Sequence, residues 1–270
     1  MDRASRILLI LILPAGGCAD GILLHPTSQP LETPAVRRVV RQDRGDLELW
    51  TMRAQGAPET PPAAYVLAFV GNGDRAERGA AEESELWRDH PFEIWVMNYP
   101  GFGGSTGPPG LNTIPPSALA AFDEIRKVAA GRPVLVSGSS LGAAAALFVA
   151  ARRPVGGVLL RNPPPLRELI LGHYGWWNLW LGAWIVTLQI PPELDSLRNA
   201  RECTAPAVFL ISQQDRRVPP AYQRDVVDAY GGTTTIVPLE GGHNKRPGPR
   251  ELDTLRPALR SLASRAQAPK

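Results

Sequence analysis

Three short segments carry side chains that could together perform nucleophilic acyl transfer. The first is Gly138-Ser139-Ser140-Leu141-Gly142, a G-x-S-x-G pentapeptide between an apolar run and an alanine-rich run. A strand, a tight turn and a helix in this order form an elbow that exposes a serine nucleophile, and the register selects Ser140 rather than Ser139. The small residues Gly138 and Gly142 would let the strand and the helix pass closely.

The other two segments supply an acid and a base. Asp215 lies in the loop after the apolar run 206–211, and His243 follows two glycines past the last predicted strand. An aspartate there can orient and stabilise an imidazolium. Taken alone, Asp215 would more often be a helix cap and His243 a surface residue. Because Ser140, Asp215 and His243 each follow a predicted strand, all three would lie at the carboxyl edge of one sheet, which favours a catalytic triad.

The elements that would position these residues alternate between strand and helix. Strands are predicted at 36–42, 47–53, 65–70, 92–97, 133–137, 155–160, 206–211 and 233–239, and helices at 75–87, 115–130, 141–152, 219–230 and 251–263. This alternation predicts a doubly wound, mostly parallel α/β sheet. Residues 163–200 interrupt it with apolar helices of their own, and we expect them to form a small helical cap insertion.

Two further loops carry a resemblance to a known family. Phe69-Val70-Gly71-Asn72-Gly73 is similar to an F-H-G-N-x-G segment, and residues 98–105, Asn-Tyr-Pro-Gly-Phe-Gly-Gly-Ser, are similar to an x-Y-x-G-Y/F-G-x-S loop. Both belong to the BEM46-like and ABHD13-like serine hydrolases of the α/β-hydrolase superfamily, which also has the chain order Ser, Asp, His. The resemblance implies an α/β-hydrolase domain over residues 36–265.

The resemblance also implies a reaction. Ser140 would attack the carbonyl of a carboxylic ester or thioester, with His243 as the base and Asp215 as the acid. The backbone N–H groups of Asn72 and Leu141 would form the oxyanion hole. A small-molecule or lipid-like acyl substrate is expected, and no metal or organic cofactor. The same triad could serve a peptidase or amidase.

Val70 is the departure from the family pattern, because it stands where the family carries histidine. Any hydrogen bonds from that histidine to the loop would be lost, which puts efficiency in doubt more than reaction type, since the oxyanion donors are backbone groups. Val70 also motivates a rival interpretation, a non-catalytic lipoprotein scaffold with a hydrolase fold. Asn162 occupies the acid position that some relatives use after the preceding strand, and an amide cannot replace a carboxylate there.

The N-terminus is typical of a secretory signal peptide over residues 1–17. Arg3 and Arg6 precede the apolar run 7–13, and Ala15-Gly16-Gly17 leads to Cys18. A cysteine after small residues resembles a bacterial lipobox, which implies lipidation of Cys18, although Ala15 stands where that motif usually has leucine. An ordinary cleaved signal remains the alternative.

Lipidation of Cys18 would place the protein in the cell envelope, bound to a membrane surface by its lipid anchor. Ala19 after the cysteine favours the outer membrane facing the periplasm, and a soluble periplasmic or secreted protein is the alternative. Residues 18–35, rich in proline from 25 to 34, would be a tether between anchor and domain.

Tryptophan is concentrated in the predicted cap. Trp176, Trp180 and Trp184 recur at a spacing of four, which predicts one stripe on a single helix. Such a stripe most often packs against a core. It could instead line an acyl-binding pocket or rest at a lipid interface.

Composition excludes several other functions. The 29 Lys and Arg against 26 Asp and Glu give a net charge of +3, too small a surplus to predict a nucleic-acid partner. Cys18 and Cys203 cannot form a disulfide framework, and the spacing of Cys and His predicts no zinc site.

Overall fold

The computed structural model describes residues 18–29, 31–43, 45–176 and 180–267. The strands in chain order are β1 (Val36–Val40), β2 (Leu47–Arg53), β3 (Ala64–Phe69), β4 (Phe92–Met97), β5 (Val134–Ser139), β6 (Val158–Arg161), β7 (Ala207–Ser212) and β8 (Thr234–Leu239). The helices are α1 (Cys18–Leu23), α2 (Ala76–Leu86), α3 (Ile114–Ala129), α4 (Leu141–Arg152), α5 (Leu166–Gly172), α6 (Leu181–Leu188), α7 (Ser196–Glu202), α8 (Pro220–Ala229) and α9 (Pro249–Gln267).

Within the described residues the strands form one sheet in the order β1-β2-β4-β3-β5-β6-β7-β8. β1 and β2 pair antiparallel, β2 pairs antiparallel with β4, and the remaining neighbours are parallel. The interior strands β3 and β7 are buried along their whole length, which explains their continuous apolar sequences. The predicted fold class, a mostly parallel doubly wound sheet with a small helical cap insertion, is confirmed.

Two helical layers cover the sheet. Helices α3, α4, α7 and α8 pack side by side, with α4 against β5, β6 and β3. Helix α2 packs on β2, β4 and β3, and α9 packs on β7 and β8. Because the connections between parallel strands cross over through these helices, the carboxyl ends of β5, β6, β7 and β8 open at one edge. That edge carries the predicted site residues.

The predicted elements differ from the observed ones mainly at their ends. β6 begins at Val158 rather than at residue 155, and a β-carbon at Gly156 or Gly157 would crowd Ala266 or Leu262 of α9. Helix α9 runs through Pro257 and is longer than predicted, and its apolar residues Leu255, Leu259 and Leu262 are buried.

The segment predicted as a tether packs on the domain. Ala19 and Leu24 are buried, and the Asp20 carboxylate accepts a hydrogen bond from the Leu111 N–H at 2.8 Å. The carbonyl of Thr27 accepts a hydrogen bond from the Gly103 N–H at 2.9 Å. These contacts hold residues 18–29 against the body. The predicted signal peptide, residues 1–17, lies outside the described residues.

The cap consists of α5, α6 and the connections around them. Helix α7, which falls within the predicted cap range, instead packs between α4 and α8 as part of the helical layer. The prediction of a single tryptophan helix was wrong, because Trp180 adopts a left-handed φ of 62° and α6 begins only after it. Packing of the stripe against the core was also wrong, since Trp176, Trp180 and Trp184 are more than half exposed.

Candidate active site

Ser140 occupies a strained turn between β5 and α4. Its φ of 54° and ψ of −121° lie in a region that non-glycine residues rarely adopt. A β-carbon at Gly138 would clash with the backbone of Gly142, and one at Gly142 would clash with the Phe69 carbonyl. The two glycines therefore permit the elbow, which lifts the Ser140 side chain above the sheet edge.

Asp215 and His243 form a direct pair. Nδ1 of His243 lies 2.6 Å from Oδ2 of Asp215. An ionised carboxylate can only accept, so Nδ1–H is the donor and Nε2 is left to exchange a proton. The Asp215 side chain is fully buried and that of His243 is 11% exposed, so one imidazole face reaches the surface while the acid is shielded from water.

The buried carboxylate of Asp215 is held by further donors. Its Oδ1 accepts the backbone N–H groups of Arg217 at 2.8 Å and Val218 at 2.9 Å, and its Oδ2 also accepts Nε2 of Gln223 at 3.2 Å. These bonds replace the water that the carboxylate loses on burial. Gln223, buried on α8, was missed by sequence reasoning, because no local pattern links it to a loop eight residues earlier.

Hydrogen bonds from the end of β6 and an ion pair with α2 hold the loop that carries His243. The side-chain amide of Asn162 donates to the His243 carbonyl at 2.9 Å, and the Arg161 guanidinium donates to the Lys245 carbonyl. Arg246 forms an ion pair with Glu82 of α2 at 2.5 Å. Asn162 cannot be the acid, as the sequence indicated, but it is a structural partner of the base.

The loop after β3, which carries the predicted oxyanion donor Asn72, passes close to Ser140. A β-carbon at Gly71 would lie 3.7 Å from Cβ of Ser140. Within the described part of the chain, the backbone N–H groups of Asn72 and Leu141 donate to no other protein group. Leu141 is the first residue of α4, where helix N–H groups point outward and favour negative charge.

Two side chains hold this loop in the absence of the family histidine. The hydroxyl of Tyr99 donates to the Val70 carbonyl at 2.7 Å, and Tyr99 is fully buried. The Asn72 side chain accepts the His25 N–H at 2.9 Å and donates to the Leu23 carbonyl. Tyr99 belongs to the second family-like loop, so its role was not evident from that motif alone.

Ser140 and His243 approach the same edge from β5 and β8. In the described residues no hydrogen bond joins the two side chains. Catalytic hydrogen bonds in unliganded enzymes are often long and tighten only when substrate binds. Asp215 and His243, the candidate acid and base, are thus paired in the structure, and Ser140 lies at the same sheet edge.

A second buried carboxyl lies below the elbow. Glu83 of α2 accepts the Ser137 hydroxyl at 2.7 Å and the indole N–H of Trp87 at 3.1 Å. Burial raises the pKa of Glu83 to about 7, although the two hydrogen bonds oppose the shift. Glu83 contacts β5 three residues before Ser140 and therefore lies outside the reacting atoms.

The remaining predicted sites concern cysteine and metal. Cys203 is fully buried, and burial raises the pKa of its thiol to about 12, which makes it unreactive. The side chain of Cys18 lies outside the described residues. Among the described residues, no group of three or more Cys, His, Asp and Glu could hold a metal ion.

Comparison with known sequences gives distant relatives only. No protein-family model matches the chain. Two proteins of Mycobacterium tuberculosis, one from strain CDC 1551 and one from strain H37Rv, are each 26% identical over 261 residues, which cover 90% of this chain and 89% of the relative. Both are described as uncharacterized.

Comparison with solved structures defines the fold. The esterase PF2001 of Pyrococcus furiosus superposes with a TM-score of 0.68 at 14% identity, covering 91% of this chain and 99% of its own. Est1E of Butyrivibrio proteoclasticus, solved with ferulic acid, gives 0.67 at 15% identity, covering 84% and 99%. The strand order, the elbow and these neighbours together define an α/β-hydrolase fold.

Proposed function

We propose that this protein is a serine hydrolase that cleaves a carboxylic ester or thioester through an acyl-enzyme, and that it belongs to the BEM46-like type. Ser140 is the nucleophile, His243 the general base and Asp215 the residue that orients His243. The backbone N–H groups of Asn72 and Leu141 bind the oxyanion. The substrate is a small or lipid-like acyl compound.

The reaction has two halves. Nε2 of His243 takes the hydroxyl proton of Ser140 as Oγ attacks the acyl carbonyl, and the negative oxygen that forms is bound by the Asn72 and Leu141 N–H groups. The imidazolium then gives its proton to the leaving alcohol or thiol as the carbon–oxygen or carbon–sulfur bond breaks. Water gives a proton to His243 as it attacks the acyl-Ser140 ester, and His243 returns that proton to Oγ of Ser140 as the carboxylic acid is released.

The hydrogen bond of 2.6 Å between His243 and Asp215 is the observation that carries the proposal. It fixes the tautomer in which Nε2 is unprotonated, which a general base requires. A scaffold with no reaction to perform has no physical need for a buried carboxylate paired with a histidine beside a strained serine. This argument favours the enzyme over the non-catalytic scaffold.

Labelling with a fluorophosphonate probe tests the nucleophile directly. The wild type, Ser140→Ala and Ser139→Ala would be incubated with the probe and their intact masses compared. We expect one adduct on the wild type and on Ser139→Ala, and none on Ser140→Ala. Absence of an adduct on a folded wild type, or its persistence in Ser140→Ala, would contradict the proposal.

A screen of acyl esters, thioesters and amides of matched acyl chain then separates the leaving groups. We expect turnover of the ester and thioester and little of the amide, because the amine of an amide is a poorer leaving group and must be protonated by His243 as it leaves. Preferential cleavage of the amide would make the protein a peptidase or amidase.

We further propose that Cys18 is the lipidated N-terminus of the mature chain and that the protein is anchored in the cell envelope, at the outer membrane facing the periplasm. The lipobox-like sequence before Cys18 supports this location. Mass spectrometry of the N-terminal peptide would show a diacylglyceryl adduct on Cys18 that Cys18→Ser lacks. An unmodified Cys18, or cleavage at another position, would overturn it. In the described residues no helix is long and apolar enough to cross a membrane.

A further inference from the structure

One face of the cap presents an unusual concentration of apolar side chains to solvent. Among the described residues, most of the exposed large apolar side chains lie on α1 or on residues 174–188. We call the cap face the surface formed by six of them, whose exposed fractions run from 51% to 67%: Ile22, Trp176, Trp180, Leu181, Trp184 and Leu188. A concentration of large apolar side chains exposed to solvent marks an interaction site.

The segment that carries five of the six cap-face residues has no charged side chain. Residues 174–192 contain no Asp, Glu, Lys or Arg. The buried residues Ala183 and Thr187 of α6 face the domain, while Trp184 and Leu188 face outward. An outward helix face with tryptophan and leucine and no charge is suited to the boundary between headgroups and acyl chains.

The N-terminus reaches the protein at this same face. Helix α1 packs against α6, and the Ala19 N–H lies 3.1 Å from Oε1 of Gln189 at the end of α6. The chain before Ala19 is the lipobox-like cysteine and the apolar run 7–13. A membrane attachment through any of these residues would join the described chain at Ala19, beside the end of α6.

Positive charge borders the cap face on the side of the active site. Arg216 and Arg217 are exposed and directly follow Asp215. The Arg216 carbonyl accepts a hydrogen bond from Nε2 of His173 at 3.1 Å, and the Arg217 carbonyl accepts one from the Tyr174 hydroxyl at 2.8 Å. These bonds join the acid loop, which carries Arg216 and Arg217, to the cap, so two exposed arginines lie in a segment that contacts the cap, where anionic headgroups would meet them.

From this arrangement we propose that the cap face lies on the surface of an anionic lipid bilayer, with the tryptophans among the acyl chains and Arg216 and Arg217 among the headgroups. The acid loop then borders the bilayer. Resting on the proposed function, the substrate would be an amphipathic acyl ester taken from that bilayer.

Fluorescence quenching by brominated lipids tests the contact itself. The full chain carrying Cys18→Ser, which has no lipid anchor, would be mixed with vesicles of phosphatidylglycerol and brominated phosphatidylcholine. We expect the tryptophan fluorescence to be quenched, and Trp180→Ser with Trp184→Ser to weaken vesicle binding by at least about tenfold. Arg216→Gln and Arg217→Gln should each weaken it about fivefold, and only on anionic vesicles.

Matched variants separate this surface from others. Val128→Ser and Ile236→Ser remove exposed apolar residues from α3 and β8 and should bind vesicles like the parent. Ser140→Ala should also bind like the parent, so a failure of the proposed chemistry would not affect the result. Equal binding by the tryptophan variants, with thermal melting unchanged, would overturn the proposal. A dimer in sedimentation that Trp184→Ser dissociates would also overturn it, because a second copy would then cover the cap face.

Discussion

The side-chain amide of Asn162 donates to the His243 carbonyl at 2.9 Å while its Oδ1 accepts the Ser212 N–H at 3.1 Å. Asn162 is fully buried and has a left-handed φ of 49°, a conformation that asparagine tolerates better than most residues. One side chain thereby joins the end of β6 to the end of β7 and to the loop of the candidate base. We therefore expect Asn162 to help position His243 against Asp215.

Replacing Asn162 tests its part in positioning. Asn162→Gly keeps the left-handed backbone accessible but removes both hydrogen bonds. We expect a loss of about 2–3 kcal/mol in the free energy of unfolding, since a buried N–H and a carbonyl lose their partner. We also expect kcat to fall about tenfold or more with KM little changed, measured on a soluble ester. An unchanged kcat would show that His243 is held adequately without Asn162.

Asp215→Asn should abolish most of the turnover. An asparagine could present its N–H to His243 and so favour the wrong tautomer, which lowers kcat by about 10⁴ in a Ser-His-Asp protease. Steady-state kinetics on one ester would measure the loss. Asp225→Asn, an exposed substitution on α8, is the matched control and should retain wild-type kcat. Comparable activity in Asp215→Asn and Asp225→Asn would exclude Asp215 as the acid.

Tyr99→Phe should loosen the oxyanion loop. The ring remains packed, but the Val70 carbonyl loses its hydrogen bond, which costs about 1–2 kcal/mol in unfolding free energy. We expect kcat to fall about three- to tenfold, because the Asn72 N–H is less well placed. Tyr230→Phe is the control, since that hydroxyl donates to the Ala205 carbonyl at 2.8 Å in another part of the domain. It should lose similar stability without loss of kcat, and an equal fall in both variants would refute the positioning role.

Gly138→Ala should prevent the elbow from forming. The added β-carbon would meet the backbone of Gly142, which cannot move without displacing α4 from β5. We expect a destabilisation of at least about 3 kcal/mol, measured by chemical denaturation, and loss of fluorophosphonate labelling. Gly21→Ala on α1 has open space at its β-carbon and should be neutral or slightly stabilising. A stable, labelled Gly138→Ala would mean that the turn is wider than the structure shows.

Glu83 should make stability depend on pH. Its pKa is raised from an ordinary 4.5 to about 7, so between these values the native state keeps a proton that the unfolded chain has released. The free energy of unfolding should therefore fall as pH rises from about 4.5 to about 7 and then level off. Glu83→Gln can keep both hydrogen bonds without the charge, and should be more stable than wild type at pH 8 by about 1–3 kcal/mol.

Denaturation of Glu83→Gln at several pH values measures this effect. Glu59→Gln replaces an exposed carboxylate and should follow the wild-type pH profile. If Glu83→Gln shows the same slope between pH 4.5 and 7 as the wild type, another group is responsible for that slope.

Local sequence was sufficient for much of the fold. The continuous apolar runs of β3 and β7 predicted buried parallel strands, because both faces of such strands are covered by helices. Gly138 and Gly142 predicted the elbow, because a side chain at either position would collide with the backbone where the strand and the helix pass closely. Asp215 and His243 could be predicted as a pair from their places after two strands of one sheet.

The rest depended on contacts between residues far apart in the chain. The side chain of Asn162 donates to the His243 carbonyl, and that of Gln223 donates to the Asp215 carboxylate. No periodic pattern in the sequence predicts these two bonds. The spacing of Trp176, Trp180 and Trp184 indicated one buried helix. In the structure Trp180 has a left-handed φ, and all three side chains are more than half exposed.

The N-terminal segment also shows the difference between what local sequence predicts and what tertiary contacts decide. Its proline-rich composition indicated a tether between anchor and domain, and the structure adds that α1 packs on α6 and that Leu23 and His25 are hydrogen-bonded to Asn72. Sequence alone determined the alternation of strands and helices, the nucleophile elbow and the residue types of the candidate triad, because these follow from short-range sterics and strand polarity. Only the tertiary structure decided what holds the acid and the base in place and which apolar side chains meet solvent, because both depend on which surfaces the folded chain brings together.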